Sequence, residues 1–259
     1  MSLMKINRVP FLNAYVDNVD CQQVLEVIQE HIDSGVPGYM VSLNTDICIK
    51  LEHDDDFRRA HQDASLVLMD SQPLFRLARR WGIPLKEKLS GSDLMPIVCK
   101  WAAEKGYSCF IMGGLPGVPE EAARRLKTSF TGLKIAGTMS PPYGFERSEE
   151  EISTILSVVK NANPDILFVC IGSPKSEKFI HPHLEGLGTR FCLAVGAAVD
   201  FEAGNMKRAP EWASRAGVEW LFRFFQEPRR LFKRYFIDSW SMLRIIRKYR
   251  GGMRSESGN

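Results

Sequence analysis

The amino-acid sequence predicts an α/β protein: a mostly parallel sheet with helices on both faces, followed by a basic helical appendage. Three observations carry this. Six short apolar runs are bounded by polar or Gly/Pro punctuation, and each is too short for a helix. They are apolar almost throughout, as strands covered on both faces are. Helical patterns stand between them, and strands alternating with helices build a parallel sheet. After residue 208 no strand-like run follows, and aromatic and basic residues interleave instead.

CQQVLEVIQEHID (21–33) has a helical apolar set in Val24, Leu25, Val27, Ile28 and Ile32. YMVSL (39–43) is the first strand. LEHDDDFRRAHQD (51–63) is a charged helical stretch, and its three aspartates form a solvated face, not a metal site. SLVLM (65–69) is the second strand, and SGSDLMPIVCKWAAEKG (90–106) is a helix opened by Ser and Asp. CFIMG (109–113) follows, then VPEEAARRLKTSF (118–130), with Pro near its start and acids in its first turn. LKIAG (133–137) precedes SEEEISTILSVVKNANP (148–164), where Ser148 with Glu151 three residues on makes a capping pair and Pro164 follows the end. ILFVCIG (166–172) and FCLAVG (191–196) complete the strands. In the tail, Trp220, Leu221, Phe224, Phe225, Leu231, Phe232, Tyr235, Phe236, Trp240, Leu243 and Ile246 recur at helical spacing, and Pro228 divides two helices. The expected organisation is an α/β body over 1–207, the appendage over 208–250 and a disordered end over 251–259.

The net charge of +3 hides an asymmetry: residues 201–250 hold 12 Lys/Arg against 5 Asp/Glu, while residues 1–200 sum to −4. A mildly acidic body with a basic tail implies an anionic partner, whether phospholipid, a phosphorylated ligand or nucleic acid. The six cysteines form no CxxC pair and sit largely in apolar runs, as reduced core thiols do. MSLMKINRVPF lacks the apolar stretch of a signal peptide, and no run approaches the ~18 apolar residues of a membrane span. His181 and His183 flank a proline with no third ligand in view and are surface residues.

Parallel sheets bind ligands beyond the carboxyl ends of their strands. The residues there are Asn44, Thr45 and Asp46; Asp70; Gly113, Gly114 and the rest of GGLPG; Ser173 to Glu177; and Asp200 and Gly204. GGLPG leads into a helix and suits either a phosphate or a tight structural turn. Asp70 ends an apolar strand and suits either a general base or a helix cap.

The ordered segments LNTD (43–46), VLMDSQPL (67–74), LSGSDLM (89–95), FIMGGLPG (110–117), PDILFVCIGSPKSEKFI (164–180), VGAAVDFEAGNMKRAP (195–210) and GVEWLFRFFQEPRRLFKRY (217–235) together resemble the WecG/TagA/CpsF family, glycosyltransferase family 26. The resemblance covers nearly the whole chain. It implies a Rossmann-like domain with a C-terminal helical appendage. It also implies inverting transfer, without a metal or other cofactor, of a sugar from a UDP-sugar donor to a polyprenyl-diphosphate-linked glycan. The sugar is N-acetylmannosamine, its uronic acid or glucose, and the place is the cytoplasmic face of the plasma membrane, where the enzyme sits peripherally through the appendage.

By the same resemblance Asp70 is the general base, with Ser71 where the family has Gly. Asn44 and Thr45 contact the sugar. Lys88 stands where Arg is common, and Ser176 where Gln is common in the segment ending at Glu177. Gly113, Gly114, Asp200 and Arg208 fall within matching segments. Arg223 and Arg230, with Lys233 and Arg234 beside them, match cations that meet the diphosphate. This chemistry is coherent by itself: without a metal, arginines must neutralise a departing UDP, and a carboxylate must take the acceptor proton.

Two further classes are weighed. A nucleic-acid-binding protein would use the basic, aromatic tail, but rings at helical spacing favour packing or lipid over bases. A dinucleotide-dependent oxidoreductase would need GxGxxG, which is lacking. Nucleic acid is therefore not an expected partner, and a homo-oligomer is left open. Truncation after Pro210 is expected to abolish activity while leaving the body folded.

Overall fold

The computed structural model describes residues 6–206 and 238–256. Its centre is a six-stranded sheet formed by β3 (Gly38–Leu43), β4 (Leu66–Met69), β5 (Ser108–Gly113), β6 (Lys134–Met139), β7 (Ile166–Cys170) and β8 (Phe191–Ala194). The spatial order is β4-β3-β8-β7-β5-β6, and every neighbouring pair is parallel. Each of the six apolar runs supplies one strand. A small antiparallel hairpin, β1 (Arg8–Phe11) and β2 (Ala14–Asp17), precedes the sheet and was not expected from sequence. Its anchor is Asp17: Arg8 donates to both carboxylate oxygens at 2.8 and 2.9 Å, and the Val67 amide of β4 donates to Oδ2 at 2.7 Å.

The near-continuous apolarity of the strands has a simple cause. Side chains alternate across the sheet, so Met40, Leu66, Leu68, Ile111 and Phe168 enter one core while Val41, Val67, Met69, Met112 and Val169 enter the other. The first core is closed by α1 (Cys21–Ser34), α5 (Gly91–Lys105), α6 (Val118–Ser129) and α9 (Ala198–Ala203). The second is closed by the hairpin, α2 (Thr45–Leu51), α3 (Asp55–Gln62), α4 (Gln72–Arg80), α7 (Glu149–Ala162), α8 (Lys175–His183) and α10 (Asp238–Glu256).

Local chemistry sets several of these boundaries. Ser148 accepts from the Glu151 amide at 3.3 Å and starts α7, as the capping pattern predicts. The aspartate run also resolves as a helix start. Asp54 caps α3, and Asp55 and Asp56 pair with Arg58 and Arg59 three residues on. All six cysteines are free thiols, five of them buried.

The C-terminal element differs from expectation at its end. Helix α10 runs through Glu256, so residues 251–256, expected to be disordered, are helical. The helix also docks on the body: Met242 and Ile245 are buried in the second core, with Ile246 and Tyr249 packed against it. Truncation after Pro210 would therefore remove core residues as well as the appendage. Trp240 and Leu243, which recur at helical spacing in the sequence, face outward at 71% and 48% exposure. Among the described residues no helix is long and apolar enough to cross a membrane.

Candidate active site

The connectivity of the sheet opens a crevice at one place. β3 and β8 are neighbours, yet β3 feeds α2 on one face and β8 feeds α9 on the other. Loops leaving adjacent strands in opposite directions part above the carboxyl edge, which is where open α/β sheets bind ligands. A cleft of about 570 Å³ lies there, lined from the ends of β3, β4, β7 and β8, the start of α5, and α2 and α9.

Six of the residues named from sequence at the strand ends line this cleft: Asn44, Asp46, Asp70, Ser173, Ser176 and Glu177. Asn44 is held by its own helix, because its side-chain oxygen accepts the Ile47 amide at 3.1 Å and caps α2. Asp70 follows β4, and its amide donates to the Leu43 carbonyl of β3 at 3.0 Å, which fixes its backbone at the sheet edge. The structure decides between its two sequence readings as far as capping goes: the cap of α4 is Ser71, whose hydroxyl accepts the Leu74 amide at 3.4 Å. Ser71 adopts φ −114°, so this turn has no need of the glycine found in the resembled motif.

Other predicted positions stand apart from the described lining. Thr45 opens α2. Lys88 is paired with Asp93 at 3.7 Å. Gly113 ends β5 and Gly114 follows it, and packing explains them: a Cβ on Gly113, at φ 124°, would lie 2.4 Å from the Cys170 backbone, while one on Gly114, at φ 78°, would crowd Val118 and Val199. The structural-turn reading of GGLPG thus has a concrete basis in the close approach of β5 to β7. Asp200 lies in the first turn of α9, and its carbonyl accepts from the Asn205 and Met206 amides at 2.9 and 3.2 Å. Arg208, Arg223, Arg230, Lys233 and Arg234 lie outside the described residues.

Sequence reasoning missed Lys50, which lines the cleft from α2. Its ammonium donates to Asp46 at 2.6 Å and to the Ser173 carbonyl at 2.9 Å, joining α2 to the loop after β7. Asp46 and Lys50 are four apart, a spacing that places them on one helical face, but only once TDICIKL is known to be a helix. Ser176, in the loop's first helical turn, is 1% exposed and directs its hydroxyl to the carbonyls of Gly172 at 3.3 Å and Val169 at 3.5 Å.

Glu177 is the unusual group. It is 2% exposed, and its Oε2 has no hydrogen-bond partner. Burial pushes its carboxyl up to about 7. Its own amide, the Ser173 hydroxyl and the Lys50 ammonium act in the opposite direction, and Asp46 reinforces the rise. The Ser173 hydroxyl is close enough to influence the carboxyl without reaching hydrogen-bond geometry, and it too is buried and unpartnered.

Over residues 9–256 the chain matches the glycosyl transferase WecG/TagA/CpsF family. It belongs to that family. It is similar to the N-acetylglucosaminyldiphosphoundecaprenol N-acetyl-beta-D-mannosaminyltransferase of Bacillus subtilis (strain 168), with 24% identity over 250 residues that cover 96% of this chain and 90% of that protein. It is similar to the proteins of the same name from Bacillus spizizenii, at 25% identity over 89% of this chain and 86% of that one, and from Staphylococcus aureus (strain MW2), at 24% identity over 86% and 87%. As a WecG/TagA/CpsF member the chain is a glycosyltransferase, and the cleft at the β3/β8 divide is its candidate active site.

Proposed function

We propose that this glycosyltransferase moves N-acetylmannosamine from a UDP-sugar to a polyprenyl-diphosphate-linked glycan, in the synthesis of a bacterial cell-surface polymer. The observation that carries the reading is Asp70, a carboxylate in the wall of a cleft built where the sheet divides, in a chain aligned nearly end to end with three N-acetylmannosaminyltransferases. An inverting transfer needs a base on the acceptor side of the sugar, and a carboxylate at a strand end meets that need. Asp70 would deprotonate the acceptor hydroxyl as it attacks the anomeric carbon. The bond to the UDP oxygen breaks on the opposite face, and the diphosphate departs with its negative charge. On this reading Arg223 and Arg230 neutralise that charge, with no metal cofactor, and Arg208, Lys233 and Arg234 support them.

The membrane reading draws on α10. Trp240, Leu243, Arg244 and Arg247 recur at the spacing of one helical face, the face opposite buried Met242 and Ile245, and all four are exposed. Rings and aliphatic groups beside arginines suit an anionic headgroup layer, where each basic residue contributes about 1 kcal/mol. This would hold the enzyme at the cytoplasmic face, beside a lipid-linked acceptor.

Asp70→Asn is the test. Its expected outcome is a loss of ~100-fold or more in kcat with UDP-N-acetylmannosamine affinity within about twofold, the range that general-base removal gives. Near-normal kcat would rule out Asp70 as base. Turnover is expected to survive EDTA, and abolition by the chelator would overturn the metal-independent reading.

A further inference from the structure

Among the described residues four buried side-chain oxygens lack a hydrogen-bond partner: Asn13 Oδ1, Glu146 Oε2, Ser173 Oγ and Glu177 Oε2. The last two stand in the wall of the same cleft, four residues apart across the first turn of α8. Native proteins pair nearly all such atoms, and an unmade bond costs about 1 to 3 kcal/mol. Two orphans side by side in a binding cleft mark a place where a ligand atom completes the bonding.

The surrounding charges say what kind of atom that is. Facing Glu177 from α2 are Asp46 and Lys50, and these two are paired with each other. From β3 comes the Tyr39 phenol, whose hydroxyl donates to the Ala60 carbonyl. From α3, Asp54 and Asp63 are engaged by Lys178 and His181 of α8, each pair at 2.9 Å. Asp70 shares the cleft lining. Among the described residues that line the cleft, the charged groups are Asp46, Asp70, Glu177 and Lys50, and Lys50 is bound to Asp46. The neutral part of a nucleotide sugar would meet a hydroxyl and a carboxyl able to share hydrogen bonds.

We propose that Glu177 recognises the donor sugar: its carboxyl, holding a proton, donates a hydrogen bond to a sugar oxygen, with the Ser173 hydroxyl as second partner. The inference rests on the cleft being the donor site. Oxygen of a hydroxyl or of an acetamido carbonyl fits equally, since both accept. Burial, reinforced by Asp46, raises the carboxyl to about 7, so the proton is held below neutral pH and lost above it, and the donor affinity falls with it. Lys50 supports this arrangement by fixing the Ser173 loop against α2 at 2.9 Å.

The experiment is calorimetric titration of wild type, Glu177→Gln and Ser173→Ala with UDP-N-acetylmannosamine and with UDP, from pH 6 to 8.5. With the carboxyl titrating at about 7, the competent fraction falls roughly tenfold between pH 6 and pH 8, and apparent affinity falls with it. Wild type is expected to lose about tenfold in nucleotide-sugar affinity over that range. Glu177→Gln, which donates through its amide and cannot ionise, is expected to hold near the wild-type pH 6 value throughout. Ser173→Ala is expected to bind the sugar nucleotide several-fold more weakly with the wild-type slope, which keeps the test open should Glu177→Gln fold poorly. For UDP, whose own terminal phosphate titrates, the three proteins should change together.

A flat wild-type profile overturns the proposal. So does a Glu177→Gln profile with the wild-type slope, or a difference between the proteins that appears equally with UDP. Binding with the expected pattern but no transfer to any lipid-linked acceptor would sink the proposed function and leave the recognition role standing. Absence of nucleotide-sugar binding at every pH would sink both.

Discussion

Two glutamates lie on either side of α2 and meet opposite fates. Glu52 ends that helix, and its carboxylate accepts from Asn13 at 2.9 Å, Lys248 at 2.7 Å and Tyr249 at 2.9 Å. Burial alone would raise its pKa, but these three donors outweigh it and the net shift is downward. Glu177, across the cleft, has an oxygen without a partner and a pKa pushed up to about 7 by burial. Both are largely shielded from water. One is satisfied and fastens α10 and the β1–β2 turn to the body, and the other is left wanting. The difference separates architecture from function: a carboxylate that serves the fold is given donors, and one that serves a ligand is denied them.

The largest expected effect tests the second half of that contrast. A carboxyl with pKa raised from 4.5 to about 7 is neutral in both states at low pH and costs nothing there. As pH rises from 4.5 through 7, the unfolded state ionises first, so the folded state loses up to about 3 kcal/mol of relative stability. Glu177→Gln should therefore stabilise the protein at pH 8, by up to about that amount, and leave it nearly unchanged at pH 4.5. Thermal unfolding at the two pH values measures this. A destabilised variant at pH 8 would mean that the carboxylate is satisfied after all.

A second buried group runs in the opposite direction. His61 is 2% exposed, lies against the Ser42 carbonyl at 3.2 Å, and is lowered to about 4, chiefly by burial. Its unfolded form takes up a proton first as pH falls from 6.5 to 4, so stability declines over that window by on the order of 3 kcal/mol. Between pH 4.5 and 6.5 the His61 and Glu177 slopes cancel. The wild type should then show a nearly flat contribution from this pair, while Glu177→Gln should expose the His61 slope of about 1.4 kcal/mol per pH unit. Denaturant unfolding at four or five pH values resolves it, and parallel wild-type and variant curves would refute the opposition.

Glu52 should behave in the ordinary way for a satisfied carboxylate. Glu52→Ala leaves the Tyr249 hydroxyl without its acceptor and the Asn13 amide with only the Cys48 carbonyl at 2.8 Å, at a cost on the order of 2 kcal/mol. Because the folded pKa is lowered, the contribution is present above the unfolded value and is lost as pH falls through the folded one. The variant should also release α10, which limited proteolysis would detect as faster cleavage within residues 238–256. Unchanged proteolysis would show that Met242 and Ile245 hold the helix without the latch.

The sequence made the sheet legible because burial on both faces leaves a composition trace. VLMD, LFVC and FIMG are apolar at every position before the end, and the two-residue alternation shares them between two cores. The hairpin left no such trace, since RVPF and AYVD are short and one carries a proline. Asp70 could be found because a carboxylate ending an apolar strand is conspicuous. Lys50 could not, because its role depends on TDICIKL being a helix that turns it toward a loop 123 residues away. Glu177 was visible as a motif residue, but its missing partner was not: an unsatisfied oxygen is a property of what surrounds it. The sequence could not choose the buried face of α10 for a related reason, since two apolar stripes compete on that helix and the packing selects Met242 and Ile245 over Trp240 and Leu243.

The smallest expected effect sharpens the satisfied half of the contrast. Lys248 contributes one of the three donors to Glu52, but its side chain is 60% exposed while that of Glu52 is 15% exposed. An exposed ammonium gives up little on losing its partner, because water replaces the bond and salt screens the charge. Lys248→Ala should therefore destabilise much less than Glu52→Ala, and added salt should shrink the difference from wild type. Tyr249→Phe should not respond to salt in this way, since a neutral hydroxyl donates without a full charge. Should Lys248→Ala match Glu52→Ala in unfolding, the latch would be a charge pair, and the assignment of its strength to a carboxylate satisfied by several donors at once would have to be given up.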